Sequence, residues 1–521
     1  MIPLPMTTLL TSYLIAAAER TPDKQALLYG SAHSTYSELL MSAQGIACCL
    51  NELHLETGFR GAILNDNPFE YISAYFGILL AGGIAVGLNT QTSDAGLVFV
   101  LNDCEASILF TSPKFNRYLD NALSMVPSLK ALVSSGQLGE QVMSSSCMRW
   151  EFAELCNYPH KNSVSLPFRS SHDFAQIIYT SGSTAKPKGV VLRHANLIAN
   201  TESIISYLGL QANDRVMAVL PFFYSYGNSV MLTHLAVGGS LVVNQSFLYP
   251  NVILQQMVDH EVTGFSGVPS TFAILLNRSA IASFSFPRLR YLTQAGSAMS
   301  QDLARRLKQV FPTADIFIMY GQTEAGARLA YLDPAELERR PGSIGKGIPG
   351  VELTLRDAAG NLVQAGEIGE IVARGENIMA GYWNRPEETR EVLRFECLWT
   401  GDLARMDEDG YLYIVSRKSD LIKSGSHRIG PKEIEDVLEE HPAVHEAAVV
   451  GIPDEILDEH IRACVVLQPN SYCCEKDLQI HCRKRLPQFK VPHEMVFLTD
   501  LPKTSSGKII KTELRSMVIL K

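Results

Sequence analysis

The sequence predicts an α/β fold. A large N-terminal domain has mainly parallel sheets flanked by helices and carries a β-rich subdomain, and a small α+β domain follows. Three observations predict it. Up to about residue 320, short apolar runs alternate with helix-like segments. Three glycine-bearing loops, YTSGST, TQAGSAM and YGQTEA, each follow one of those runs. After about residue 340, closely spaced turns replace the alternation. Alternation of this kind means βαβ units, and parallel sheets bind ligands beyond the carboxyl ends of their strands.

The elements follow in order. Leu10, Leu14 and Ala17 fall at helical spacing, so an amphipathic helix ends near Arg20, before Thr21-Pro22. No basic segment precedes it as in a signal peptide, so the expected location is cytoplasmic. Residues 71–88 are apolar enough to resemble a membrane span, but Gly77, Gly82, Gly83 and Gly87 interrupt them. A helix, a glycine turn and a buried strand are predicted there, with no membrane span. Strands are expected at 62–65, 84–88, 107–110, 176–179, 215–220, 240–243, 264–266, 289–295 and 316–320. Helices such as 249–260 and 301–310 separate most of them. Residues 352–374 read as strand–turn–strand, and 410–415 follow an Asp-Gly hairpin turn. Pro431 opens a helix over 432–440, in the first-turn position where proline is tolerated. Strands at 447–452 and 461–467 and a helix near 475–486 complete the chain. The division is drawn at 1–417 and 418–521.

With 521 residues the chain can bury a large core. Its net charge of −9 gives no reason to expect nucleic acid. From Lys476 to Lys521 there are 10 Lys and Arg against 4 Asp and Glu, a local excess of 10 − 4 = 6 that suits an anionic partner or a solvated face. Ten cysteines without C-x-x-C spacing fit reduced thiols.

The run at 179–190, YTSGSTAKPKGV, is the most informative stretch. Gln176 to Tyr179 form a short buried strand. From Thr180 to Pro187 every residue but Ala185 is hydroxylic, Gly, Lys or Pro. Such a turn presents backbone N–H groups, hydroxyl donors and the cations Lys186 and Lys188, a concavity suited to polyphosphate between a strand and a helix. No Walker A string occurs; Gly507-Lys508 comes nearest, with Pro502 where the first glycine belongs. Ser183-x-x-Lys186 and Lys423-Ser424-Gly425 match two elements of serine acyl-enzymes, but the S-x-N element is missing. There is no G-x-S-x-G elbow, H-E-x-x-H or Cys/His cluster, so those hydrolase and zinc chemistries are unsupported.

Together the motifs resemble the AMP-forming adenylating enzymes: acyl-CoA synthetases, stand-alone adenylation domains and luciferases. The resemblance runs from the first helix to LPKTSSGKI. It implies an acid–thiol ligase that makes acyl-AMP from a carboxylic acid and ATP, releases pyrophosphate, and passes the acyl group to a pantetheine thiol of CoA or a separate acyl carrier protein. The alternative is an amino- or imino-acid adenylation enzyme loading a peptidyl carrier protein, and a non-catalytic nucleotide-binding relative is a third reading. ATP, Mg²⁺ and CoA or phosphopantetheine are the implied cofactors.

Residue by residue, the resemblance implies that Thr180, Ser181, Gly182, Ser183, Thr184 and Lys188 embrace the β- and γ-phosphates. Gly296, Ser297 and Ala298 line adenine and Tyr320 stacks near it, at the head of the Gly321-Gln322-Thr323-Glu324 loop. Thr323 contacts the α-phosphate and Glu324 holds Mg²⁺, as a hard oxygen ligand should. Asp402 and Arg417 meet the ribose. Lys508 bridges the two anions that must react, and Arg428 nears the phosphates in one conformation. Tyr224, Ser225, Tyr226 and Val268, with Phe222, Phe223 and Phe265, line the acyl pocket. The small domain is mobile and alternates between the two half-reactions. Three positions depart from the family: Ala185 replaces a usual Gly, Ser419 a hinge Asp or Lys, and Ser426 a Gly beside the thiol tunnel. Ser225 stands where amino-acid-activating domains commonly place Asp, which favours an acid without an α-ammonium.

Overall fold

The computed structural model describes residues 9–137, 147–156, 158, 170–180, 187–424, 427–454, 457–469, 471–503 and 509–517. Two large sheets dominate. One has nine strands, in the order Lys346–Gly347, Ala330–Leu332, Asp315–Tyr320, Tyr291–Gln294, Gly264–Gly267, Arg215–Ala218, Ser240–Val243, Gln25–Tyr29 and Ala32–Thr35. Its pairs from Asp315–Tyr320 to Gln25–Tyr29 are all parallel. The second has eight strands: Gly381–Tyr382, Lys188–Arg193, Phe174–Thr180, Ile84–Gly87, Arg60–Leu64, Ala106–Thr111, Ala131–Ser134 and Met148–Glu151. It is parallel from Phe174–Thr180 onward.

Helices Thr11–Arg20, Tyr36–Glu52, Pro68–Leu80, His194–Leu208 and Ser225–Val237 share one core with both sheets. Tyr13, Tyr36, Tyr75 and Phe76 fill it, each at most 1 % exposed, against Ile63 of one sheet and Leu241 of the other. Strands covered on both faces carry apolar residues throughout rather than alternating, which is why Ala62, Ile63 and Leu64 are all buried. Thr35 begins the second helix with a capping box, accepting from the Glu38 N–H while Glu38 returns to the Thr35 N–H. Gly238 ends the helix Ser225–Val237 at φ +77, where a side chain would be strained. The interrupted apolar stretch resolves into the helix Pro68–Leu80 and the strand Ile84–Gly87, and among the described residues no helix is long and apolar enough to cross a membrane.

An antiparallel sheet of Val351–Arg356, Ile368–Gly375, Cys397–Met406, Leu393–Arg394 and Leu412–Arg417 follows. A last sheet, His427–Ile429, Ile422–Ser424, Asp458–Leu467, Val444–Asp454 and Glu494–Leu498, packs the helices Pro431–Glu439 and Glu475–Arg483 into its own core. All ten cysteines are free thiols.

One expectation is corrected. The phosphate-loop segment was expected between a strand and a helix. It joins two antiparallel strands instead, with Thr180 opposite Lys188, and the next helix begins only at His194. A helix dipole acts within its own first turn, so any anion at this loop must be met by side chains and loop amides.

Candidate active site

The site lies where strand ends of both large sheets meet the antiparallel sheet. Tyr320 ends the strand Asp315–Tyr320, and its hydroxyl donates to Asp402 Oδ2 at 2.7 Å. Asp402 is 5 % exposed, in the strand Cys397–Met406. Its other oxygen meets Arg417 Nε at 3.2 Å, because Asp402 and Arg417 are register partners of adjacent strands. Burial, then the Asp402 charge, holds the Tyr320 phenol far above its ordinary range. Burial alone would lower Arg417; the charges of Asp402 and its neighbours outweigh it and raise it.

The loop after Tyr320 is forced by packing. A Cβ on Gly321 would lie 2.1 Å from the Ala327 carbonyl oxygen, so only glycine fits. Gln322 is extended and leads into the short 3₁₀ turn Thr323–Ala325. Thr323 Oγ1 lies 3.3 Å from Ser225 Oγ, and Glu324 Oε1 accepts from the Tyr382 hydroxyl at 2.8 Å. Gly296 follows the strand Tyr291–Gln294 at φ +94, and a Cβ there would meet Val268 Cγ1 at 3.1 Å. The Gln294 side chain donates to the Ser297 carbonyl at 2.6 Å, and Gly296, Ser297 and Ala298 are exposed.

Tyr224 precedes the helix Ser225–Val237, and its hydroxyl accepts from Asn89 Nδ2 at 3.3 Å. The Tyr226 hydroxyl donates to the Thr293 carbonyl at 2.8 Å. Phe265 does not share this face. It is fully buried against Phe272 in the outer core, while its neighbour Ser266 turns the other way to Thr293. Strict alternation along the strand makes that choice.

Thr180 ends its strand opposite Lys188. Ser181, Gly182, Ser183, Thr184, Ala185 and Lys186 lie outside the described residues, as do Gly425, Ser426 and Lys508. Arg428 lies in the strand His427–Ile429, and its side chain is likewise outside the description. Lys188 Nζ sits 2.6 Å from Glu388 Oε2 and 5.3 Å from the centre of the Tyr382 ring. Arg417 leads into the turn Lys418–Asp420, where Lys418 meets Glu370 at 3.1 Å and Asp420 meets Arg515 at 3.6 Å. A cleft of about 580 Å³ opens beside that turn, lined by Lys418, Ser419, Lys423, Glu459 and Arg515, away from the nucleotide motifs.

Sequence reasoning missed three participants: Asp103, Tyr382 and Glu388. Asp103 accepts from the Tyr179 hydroxyl at 2.7 Å and meets Arg385 at 3.3 Å, and its carbonyl accepts from Trp383 Nε1 at 2.9 Å. The segment from Gly381 to Glu388 thus straps the strands Phe174–Thr180 and Lys188–Arg193 to the helix Asp94–Asp103. The string GYWNRPEET was the available signal; nothing local marks Asp103.

The AMP-binding enzyme family matches residues 14–383, and the AMP-binding enzyme C-terminal domain matches 433–508. A long-chain-fatty-acid–CoA ligase of Bacillus subtilis (strain 168) is 31 % identical over 98 % of this chain and 95 % of its own length. A feruloyl-CoA synthase of Amycolatopsis sp. is 32 % identical over 97 % of this chain and 98 % of its own. Among solved structures, the anthranilate CoA ligase AuaEII in complex with anthranoyl-AMP superposes with a TM-score of 0.89 at 28 % identity, covering 98 % of each chain.

Proposed function

Because this chain belongs to the AMP-binding enzyme family, we propose that it is an acid–CoA ligase that activates a carboxylic acid as acyl-AMP and passes the acyl group to a thiol. The observation that carries the proposal is the convergence of Tyr320, Asp402 and Arg417 with the Thr323–Glu324 turn. A buried carboxylate that accepts two hydrogen bonds is a fit receptor for vicinal hydroxyls, and a threonine and a glutamate three to four residues from Tyr320 suit the adjoining phosphate and its cation.

In this reading Asp402 and Arg417 bind the ribose. Gly296, Ser297, Ala298 and Tyr320 bound the adenine, with Gly321 and Gln322 forming the turn between base and phosphate. Thr180 to Thr184 and Lys188 hold the β- and γ-phosphates. Glu324 fits Mg²⁺: one oxygen is fixed by Tyr382, which leaves a hard oxygen donor on a buttressed side chain. The ion supplies charge neutralisation on the phosphates. The acid's oxygen attacks the α-phosphorus, a new P–O bond forms and pyrophosphate leaves. The thiol then attacks the acyl carbon and AMP leaves. Lys508 lowers the repulsion between carboxylate and phosphate in the first step. Arg428 acts on the phosphates in one orientation of a C-terminal domain beginning at 418, which turns about Arg417 to Ser419. Tyr224, Ser225, Tyr226 and Val268 bound the acid.

Full-length similarity to CoA ligases favours CoA as the thiol over an acyl or peptidyl carrier protein. The test is carboxylate-dependent ATP–pyrophosphate exchange over a panel of fatty, aryl and amino acids, followed by thioester formation with CoA. Exchange with at least one acid is expected, and none across the panel would sink the proposal.

A further inference from the structure

Glu370 is a buried carboxylate that the assigned chemistry leaves unused. It is 7 % exposed, in the strand Ile368–Gly375 of the antiparallel sheet that carries Asp402 and Arg417. A buried charge is costly unless donors meet it. Glu370 has one donor on each oxygen. Oε1 accepts from the Gly401 N–H at 3.0 Å, and Oε2 accepts from Lys418 Nζ at 3.1 Å. Both donors are sequence neighbours of the ribose pair: Gly401 precedes Asp402, and Lys418 follows Arg417.

The strand pairing explains why such a clamp is needed. Between Ile368–Gly375 and Cys397–Met406, Glu370 stands opposite Leu403 and Val372 opposite Trp399. Thr400, Gly401 and Asp402 therefore share one opposing residue, Ile371, and Asp402 sits in a bulge. A bulge interrupts the ladder, so its extra backbone groups need other partners. Side chains supply them here. Thr400 Oγ1 accepts from the Asp402 N–H at 3.1 Å and donates to the Ile371 carbonyl at 2.8 Å, while Glu370 takes the Gly401 N–H. Gly401 adopts φ +73, and a Cβ there would meet nothing within 4 Å, so its backbone conformation and not crowding calls for glycine. So permissive a residue keeps one geometry only where its surroundings fix it, and a hydrogen bond to a charged acceptor is among the strong ties. On the other side, Lys418 is half-exposed and opens the turn after Arg417; the buried end of its ion pair is Glu370.

Resting on the reading of Asp402 and Arg417 as the ribose receptor, we infer that Glu370 is a positioning residue for nucleotide binding. It acts through Gly401 and Lys418 to fix the relative placement of Asp402 and Arg417, on which recognition of the two ribose hydroxyls depends. A carboxylate takes two hydroxyls only where its oxygens are aimed at both, so loss of the clamp falls on the hydroxyls and spares the base and the phosphates.

The experiment measures equilibrium binding of ATP and of 2′,3′-dideoxy-ATP, which lacks both ribose hydroxyls, to the full chain with Mg²⁺ and without any acid. The wild type should prefer ATP by at least about 10-fold. Glu370→Ala should reduce that preference to within about 2-fold, by weakening ATP and leaving the dideoxy analogue unchanged. Glu370→Gln still accepts from the Gly401 N–H and should keep most of the preference. Lys418→Met changes a half-exposed side chain, should narrow the preference about 2-fold, and keeps the test decisive even if the alanine variant does not fold. A merely structural role would lower the urea midpoint and weaken both nucleotides together. Parallel weakening of the two nucleotides, or a preference unchanged in every folded variant, overturns the inference while the ligase reading stands. No preference for ATP in the wild type overturns the ribose receptor as well.

Discussion

Asp103 offers a sharp test of how the phosphate hairpin is held. It is the last residue of the helix Asp94–Asp103, where a negative charge opposes the helix dipole. An acid retained there must be stabilised by other contacts, and two are present: the Tyr179 hydroxyl at 2.7 Å and the Arg385 guanidinium at 3.3 Å. A hydrogen bond to a charged acceptor contributes about 1.5–3 kcal/mol. The ion pair, with Arg385 partly exposed, adds about 0.5–1 kcal/mol. Relief at the helix end returns about 0.3–1 kcal/mol. Asp103→Ala should therefore cost on the order of 2 kcal/mol, whereas Asp103→Asn, which still accepts from Tyr179, should cost about 1 kcal/mol. Tyr179 adjoins Thr180, so the loosening falls on the phosphate side. KM for ATP should rise about 10-fold in Asp103→Ala with KM for the acid unchanged. The measurement is two-substrate exchange kinetics beside urea unfolding monitored by tryptophan fluorescence. Equal movement of both KM values, or identical stability of the two variants, would refute the reasoning.

Lys508→Ala should lower adenylation at least about 100-fold and largely spare thioester formation from supplied acyl-AMP; equal loss in both half-reactions would remove the assigned role. Glu388→Gln releases Lys188 from its 2.6 Å charge contact, so KM for ATP should fall several-fold, and a rise would show that the glutamate positions the lysine instead. His234 is buried between the Val230 carbonyl and the Tyr291 hydroxyl, and burial pushes its pKa down to about 4 from 6.5. The folded state then binds fewer protons than the unfolded chain between those values, so stability is full above pH 6.5 and is lost as pH falls toward 4. The difference, 6.5 − 4 = 2.5 pKa units, corresponds to about 3 kcal/mol. Urea midpoints at pH 7.5 and 4.5 should differ more for the wild type than for His234→Gln.

The parallel sheets were legible because strands buried on both faces leave continuous apolar runs between helical patterns, as at Ala62 to Leu64. The strand Lys188–Arg193 was not legible as a strand, because its register is set by pairing with Phe174–Thr180 and Gly381–Tyr382, neither of which its own residues encode. The same holds in the site. Tyr320, Thr323, Glu324 and Asp402 stand out through short motifs that steric necessity keeps together, such as Gly321 against Ala327. Asp103, Glu388 and Tyr382 enter through contacts between distant parts of the chain. Phe265 and Ser266 show the converse: both are in the strand Gly264–Gly267, and the pleat turns them to opposite faces.

The carboxylate of Asp402 is shared by Tyr320, at the end of the parallel sheet, and Arg417, the residue before the turn Lys418–Asp420. A ligand that takes an Asp402 oxygen alters the contact between Asp402 and Arg417, and so shifts the balance of conformations available to everything after it. Such linkage is reciprocal: whatever factor ligand binding applies to that balance, a change in the balance applies to ligand affinity at Asp402. Binding titrations and conformational probes placed beyond residue 420 should therefore return one coupling constant, whichever of the two is varied.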